Sequence, residues 1–512
     1  MDYNIYINKY NSAEEIQAAL DEGTLKKPYI GMIEDASGNT SIDFDTLEPE
    51  PDYKAMPLTF EIISGGVISY TSGGSVNPGI TQYKKNEEEW VTFTDGDSVS
   101  VSAGDIIQFK GEKNELDSSL FSTTANTDIR FNVYGNILSL LDSSNYEDLM
   151  DISLAYAFNG IFSNTNCPGV VSAKKLILQA TGLTEGCYAE MFRGNTSLVE
   201  APEKLPALYL PANCYRDMFG GCTNLASIPT QLPAIQLNLQ TYAGMFTDCT
   251  SLERAPEILA TETLGTGSLT NMFKGCTSLV TPPSALYMST LKVRNYENMF
   301  SGCTSLQTAP VICATTLAAS SCTAMFYGCT SLQTAPALPA LTMAENCYSN
   351  MFNSCTSLVN PPVLPSTDLR MYCYRSMFNG CTSLATAPAL PAPLAYEYCY
   401  SYMFKDTAIT QAPALPATTI ENGCYNYMFQ NCTGLTSAPE LPAPTAKTYS
   451  YRSMFSGCTN LNYIKCMATT LWPNSTTNFT NGVSATGTFV KAVGATWTTG
   501  VNGIPDGWTV EE

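Results

Sequence analysis

CYRSMFNGCTSLATAPALP, residues 373–391, recurs along this chain with small changes, as in CYSNMFNSCTSLVNPPVLP at residues 347–365. Aligned on Met-Phe, the copies fall at Met191, Met218, Met245, Met272, Met299, Met325, Met351, Met377, Met403, Met428 and Met454. The spacing is 27 residues four times, then 26, 26, 26, 26, 25 and 26, and Ile161-Phe162 makes a degenerate twelfth copy upstream. A period this regular marks an array in which each unit buries its apolar side against its neighbours. Residues 161–486 are therefore expected to form one solenoid of about 12 coils.

In Cys187-Tyr188-Ala189-Glu190-Met191-Phe192, the pairs Cys187/Met191 and Tyr188/Phe192 stand four apart, which places them on one face of a short helical turn. Glycine at the third position after Met (Gly221, Gly275, Gly302, Gly328, Gly380, Gly457) suits a left-handed residue closing that turn. A short extended run closed by proline follows, as in Leu332-Gln333-Thr334-Ala335-Pro336. Proline removes a ladder donor, so the strand should hold about three to five residues. The pattern M-F-x-G-C-T-S-L-x-x-A resembles the A-F-x-x-C-x-x-L-x-x-I of the BspA-type leucine-rich repeat, over roughly residues 155–485. That resemblance implies a leucine-rich-repeat solenoid of short parallel strands and short helical turns. This chain departs from the pattern in the Met before the Phe, a longer period and two prolines per unit.

The 19 cysteines include no C-x-x-C. Nine stand four residues after the Met (Cys222, Cys249, Cys276, Cys303, Cys329, Cys355, Cys381, Cys432, Cys458) and six stand four before it (Cys187, Cys214, Cys347, Cys373, Cys399, Cys424). Such a stack suits small buried hydrophobes with a weak S–H donor rather than a ligand set. In the first full repeat the post-Met place is Asn195, and leucine-rich repeats likewise interchange Cys and Asn in a buried ladder that bonds the backbone. Free thiols are expected, with disulfides between coils as the alternative.

Nine residues after each Met stand Glu200, Ser227, Arg254, Thr281, Thr308, Thr334, Asn360, Thr386, Ser437 and Tyr463, with Gln411 the nearest equivalent in the shortened Met403 repeat. A column that is always polar yet varies in type is expected to face solvent, and it is the candidate binding row. The plain alternative is that Ser and Thr merely suit exposed strands.

The flanks read differently. Ser12-Ala13-Glu14-Glu15 fits a capping box for a helix to Glu22, and Pro28–Ile33 with Ser41–Phe44 reads as a hairpin around Ser37-Gly38-Asn39. Asp35, Asn39 and Asp43 lie near that turn, but its glycine is misplaced for a calcium loop. Residues 1–47 are thus expected as an N-terminal docking segment of helix plus hairpin, and 48–56, with Glu48-Pro49-Glu50-Pro51, as a linker. Over 57–135, alternating runs at Thr59–Ile62, Val67–Tyr70, Trp90–Phe93, Ser98–Val101, Ile106–Phe109 and Ile129–Val133 predict a small β-sandwich-like module. Residues 136–160 would join it to the array and cap the first coil, and 487–512, with Trp497 and Trp508, would cap the last. The INKY and KPYIGMIED stretches resemble the N-termini of virion proteins of crAss-like phages of Bacteroidales, which implies docking to other virion proteins.

Net charge is −21, with 26 acids against 9 bases in residues 1–150. An acidic chain without a basic cluster disfavours nucleic acid and anionic membranes as partners. No histidine occurs, which removes Ser-His-Asp and Cys-His catalysis and His-containing metal sites. No phosphate-loop or dinucleotide fingerprint occurs either. No catalytic residue, cofactor or metal site is expected, so the chain is read as non-enzymatic. No basic-plus-apolar secretory leader opens it and no run of 18 apolar residues implies membrane insertion. The expectation is a virion-associated adhesin or fibre-type protein of a phage. Its array would bind a host surface protein or glycan, and a homo-oligomer is compatible with this. The alternative is a bacterial cell-surface or secreted leucine-rich-repeat adhesin.

Overall fold

The computed structural model describes residues 32–34, 40–42, 51–70, 81–94, 96–112, 121–123 and 129–512. Two compact units divide between Asp52 and Tyr53. In the first, Met32–Glu34 pairs antiparallel with Thr40–Ile42, Ile33 facing Ser41. The helix expected over residues 12–22 and the turn at Ser37-Gly38-Asn39 lie outside the described residues.

The second unit opens with alternating runs that bury one side of each strand. In Leu58–Ser64 the side chains of Phe60 and Ile62 are buried and Glu61 is exposed, the period-2 pattern of a half-covered sheet. Leu58–Ser64 lies between Ile106–Lys110 and Arg130–Asn136, antiparallel to both, and Gln82–Lys85 and Val91–Thr92 extend that sheet. A second sheet holds Ser98–Val101, Gly66–Tyr70 and Phe121–Ser122. Aromatics join the two: Tyr70 stacks on Phe93 at 5.4 Å, and Phe93 approaches Phe109 at 6.2 Å. Residues from Tyr53 onward belong to this unit, since Ala55 and Met56 carbonyls accept from the Tyr146 hydroxyl and the Asn136 N–H. Residues 53–56 of the linker expected over 48–56 are thus packed on this unit.

Arg130–Asn136 also pairs in parallel with Val170–Ser172 and Leu176–Ile177 of the first coil. The module and the array thus share one seven-stranded sheet, and a ladder crosses the junction where residues 136–160 were expected to do the covering.

Within the array the run around Met-Phe is not the expected helical turn. Every fourth residue there has positive φ: Gly186, Glu190 and Gly194 in one coil, Asn213, Asp217 and Gly221 in the next, and likewise to Asn474, Asn478 and Gly482. An α-helix cannot include such residues. Instead, alternate N–H groups bond within the turn and across coils: Ala189 to Gly186 and Arg193 to Glu190 carbonyls, but Tyr188, Glu190, Phe192 and Gly194 to the Cys214, Arg216, Met218 and Gly220 carbonyls of the next coil. The glycines after Met do adopt the left-handed conformation, φ 70–79° for Gly221, Gly275, Gly302, Gly328, Gly380 and Gly457, as members of this four-residue period and not as helix ends. Among the described residues the helical stretch is the short 3-10 turn Ile137–Leu140.

Strands are also shorter than expected. Between the ends of the array they are two-residue parallel ladders, such as Tyr209–Leu210, Gln236–Leu237 and Thr263–Leu264, plus single bridges in the column nine residues after Met, while Val170–Ser172 and Tyr463–Cys466 at the ends run to three and four residues. The turn run carries most coil-to-coil bonds, so long strands are unnecessary. Its apolar side stacks in columns: Phe162, Phe192, Phe219, Phe246 and their successors to Phe455 lie ring on ring at 5.3–5.8 Å. This column starts against Phe60 of the module, 6.0 Å from Phe162, and ends at Phe479 and Trp497.

Candidate solvent-facing row and buried thiol ladder

The column nine residues after Met is placed by geometry on both sides of it. Leu two residues before it (Leu198, Leu225, Leu252, Leu279) is fully buried, and a proline two residues after it closes the run at most coils. None of Glu200, Ser227, Arg254, Thr281, Thr308, Thr334, Asn360, Thr386, Gln411, Ser437 and Tyr463 is buried. Parallel bridges join Glu200 to Ser227, Arg254 to Thr281, Thr334 to Asn360, Thr386 to Gln411, and Ser437 to Tyr463. Side chains also interact along the row: the Asn360 amide donates to Thr334 Oγ1 at 3.1 Å. Glu200 is drawn to Ser172 and Lys174 of the preceding coil. Gln411 takes its place despite the shortened repeat.

Beneath the surface, each thiol four residues after Met bonds the coil before it. Cys222, Cys249, Cys276, Cys303, Cys329, Cys355, Cys381, Cys432 and Cys458 donate to the carbonyls of Phe192, Phe219, Phe246, Phe273, Phe300, Phe326, Phe352, Phe404 and Phe429 at 2.9–3.1 Å. Asn195 fills the same place, its amide donating to the Phe162 and Cys167 carbonyls. In the Met403 coil Thr407 stands there and bonds its own Phe404 carbonyl. All 19 cysteines are free. Burial pushes the ladder thiols up, to about 12 at Cys222 and Cys355 and about 11 at Cys432. Among the described residues no group of three His, Cys, Asp or Glu side chains is placed to hold a metal ion. No helix there is long and apolar enough to cross a membrane.

One feature of the turn face escaped the sequence reading. Asn159, Ser163, Asn164, Glu190, Arg193 and Asp217 line part of a polar cleft of about 610 Å³ across the first coils. Within it Glu190 meets Arg193 at 2.9 Å and the neighbouring Arg216 at 2.8 Å. Burial opposes ionisation of Glu190, but these hydrogen bonds outweigh it and lower its pKa, whereas burial raises that of Asp217. No motif marks the cleft, because successive coils each contribute only a few residues.

Residues 215–338 and 268–389 match a protein family described as a Mycoplasma protein of unknown function, DUF285, together about a third of the chain. Among solved structures the chain is similar to a leucine rich cell surface protein from Faecalibacterium prausnitzii A2-165, at 15% identity and a TM-score of 0.34, covering 70% of this chain and 95% of that one. No curated protein matches. The periodic coils form a repeat solenoid, and its Met-Phe pattern resembles the BspA-type leucine-rich repeat. The phage origin expected from residues 1–47 gains no support from the family match, which lies within residues 215–389.

Proposed function

We propose that this chain is a non-enzymatic binding protein displayed at a bacterial surface, an adhesin whose solenoid meets a protein or glycan through its solvent-facing row. The observation that carries this reading is the row itself. Parallel bridges hold an all-polar column of varied side chains to solvent over successive coils, while the columns beneath are near-identical. At about 4.8 Å between parallel strands, twelve coils present a row roughly 55 Å long, enough for many weak contacts to one extended partner. Where the row departs from Ser and Thr, at Glu200, Arg254, Asn360 and Tyr463, it has the chemistry to discriminate. A virion role would rest on residues 1–47, most of which lie outside the described residues, and it is not carried forward.

The test replaces Glu200, Arg254, Asn360 and Tyr463 together by Thr and measures retention of the full chain on mucin-coated and epithelial-cell surfaces. Retention should fall while the melting curve is kept. Unchanged retention would show that the row is scaffold.

A further inference from the structure

The turn face changes chemistry near its C-terminal end. Five tyrosines, Tyr372, Tyr398, Tyr402, Tyr427 and Tyr449, occupy positive-φ places there, φ 51–61°, in a conformation that bulky residues rarely adopt. Elsewhere these columns hold mostly Ser, Asn, Asp or Gly, as at Ser376, Asn350, Asp217 and Gly244, with Tyr156, Glu190, Gln240, Arg294 and Ala324 as scattered exceptions, and only here do tyrosines occupy successive coils. Strain kept at five neighbouring positions points to a use for the side chains. Tyr372 stacks on Tyr398 at 5.4 Å and Tyr402 on Tyr427 at 4.7 Å. Gly423 interrupts the first column, and the Tyr398 ring occupies the space its Cβ would need, 2.2 Å away. Tyr449 resumes the column one coil on, within electrostatic reach of Tyr398.

Two arginines edge these rings. Arg375 lies over Tyr372 at 5.6 Å, and Arg452 over Tyr427 and Tyr449 at 5.6 and 5.3 Å. Neither forms an ion pair among the described residues, and Arg452 Nε is buried without a hydrogen-bond partner. The same place in the coil, two residues before Met, supplies an internal control. Arg216 stands there too, but it is neutralised by Glu190 of the preceding coil and has Asp217 beside it. Before Arg375 and Arg452 the places corresponding to Glu190 hold Asn350 and Tyr427. Two uncommitted guanidinium groups are thus kept in a chain of net charge −21. Glu397 is the carboxylate whose charge acts on Tyr398, and Glu421 is held by Lys447.

We propose that this Tyr–Arg platform is a binding site for an acidic oligosaccharide, its charge carried by carboxylate or sulfate. This deepens the surface-binding reading and rests on it. Guanidinium forks match both anions in geometry. Tyr372 with Tyr398 and Tyr402 with Tyr427 stack face to face, so these four rings offer edges and hydroxyls, and none of the five hydroxyls has a protein partner among the described residues. Such a rim hydrogen-bonds a polyhydroxylated chain and offers no hollow for an aliphatic side chain. Arg375 and Arg452 are three coils apart, on the order of 15 Å at the usual strand spacing, so an oligosaccharide and not a single ring reaches both.

The full chain would be tested by interferometry at about 0.15 M salt against polygalacturonate, heparin, neutral dextran and polyglutamate. Binding to one or both acidic glycans, at least tenfold stronger than to dextran or polyglutamate, is expected. Arg375→Gln with Arg452→Gln should weaken it tenfold or more, as should Tyr402→Ser with Tyr427→Asn, residues those columns already accept, whereas Arg216→Gln should not. Melting curves would confirm that each variant folds. Equal binding to polyglutamate, indifference to the double arginine change, or no binding to either glycan would overturn the platform. Retention on cell surfaces through the nine-after-Met row would meanwhile leave the broader reading standing.

Discussion

At the scale of single residues, the array tolerates backbone and polar strain at places that repetition makes easy to compare. Gly302 and Ala324 both lie in the left-handed region, φ 78° and 52°. A Cβ on Gly302 would meet only ordinary contacts, the nearest 3.6 Å away, so Gly302→Ala isolates the backbone term. It should destabilise by about 1–2 kcal/mol, and Ala324→Gly should recover up to about 1 kcal/mol, both read from urea melts. Equal and opposite signs are the point; two changes of the same sign would mean that packing decides. The Tyr348 and Tyr451 hydroxyls are buried without partners. Tyr348→Phe and Tyr451→Phe should leave stability unchanged or raise it by about 1 kcal/mol, since an unsatisfied buried hydroxyl costs that order. A clear loss would reveal a buried water. The glycine conformations were legible, because a recurring glycine in a fixed place asks for positive φ. The left-handed Glu190, Tyr402 and Tyr427 were not, since no residue-type preference marks them.

At the scale of the element, the sequence read correctly which side chains share the buried face and misread what backbone presents them. Cys187, Tyr188, Met191 and Phe192 are all buried. A four-residue turn period and a 3.6-residue helix differ little over eight residues, so spacing alone could not separate them. The thiol ladder was legible as a ladder, because Asn195 in a cysteine place signals a backbone partner; the partner's identity as a Phe carbonyl was not. The ladder makes a prediction in pH. Its thiols have native pKa values raised by burial, so the native state holds their protons after the unfolded chain releases them. Stability is complete below the unfolded thiol value, near pH 8.5, and falls as pH rises above it, by up to about 1.4 kcal/mol per pH unit for each such thiol. The melting temperature should fall steeply from about pH 9, before tyrosines ionise in the unfolded chain. A flat profile to about pH 10.5 would mean that the thiols are solvated. Ellman's reagent should find most of the 19 thiols only after denaturation.

At the scale of the whole molecule, a solenoid must finish at both ends. The sequence showed where the period stops but not that pairing continues past it. After the last Met-Phe coil, Tyr463–Cys466 pairs in parallel with Thr488–Lys491, which pairs with Thr509–Glu511. The residues of 487–512 therefore prolong the ladder while their aromatics close the core. Trp497 lies 6.0 Å from Phe479 and 5.2 Å from Phe489, and Trp508 donates to the Ser484 carbonyl at 2.8 Å. Deleting 487–512 removes that cover from Phe479 and leaves Tyr463–Cys466, one of the longest strands of the array, as a bare edge. Such edges template association. The truncated chain should form oligomers by light scattering and melt at a lower temperature than the full chain. Deleting only 509–512 should cost far less, because Thr509–Glu511 is exposed throughout and Trp508 stays. A monomeric 487–512 truncation with unchanged melting would show that the coils close on themselves. The turn run, with its alternate N–H groups already bonded across coils, would then supply the stability assigned to the terminal ladder.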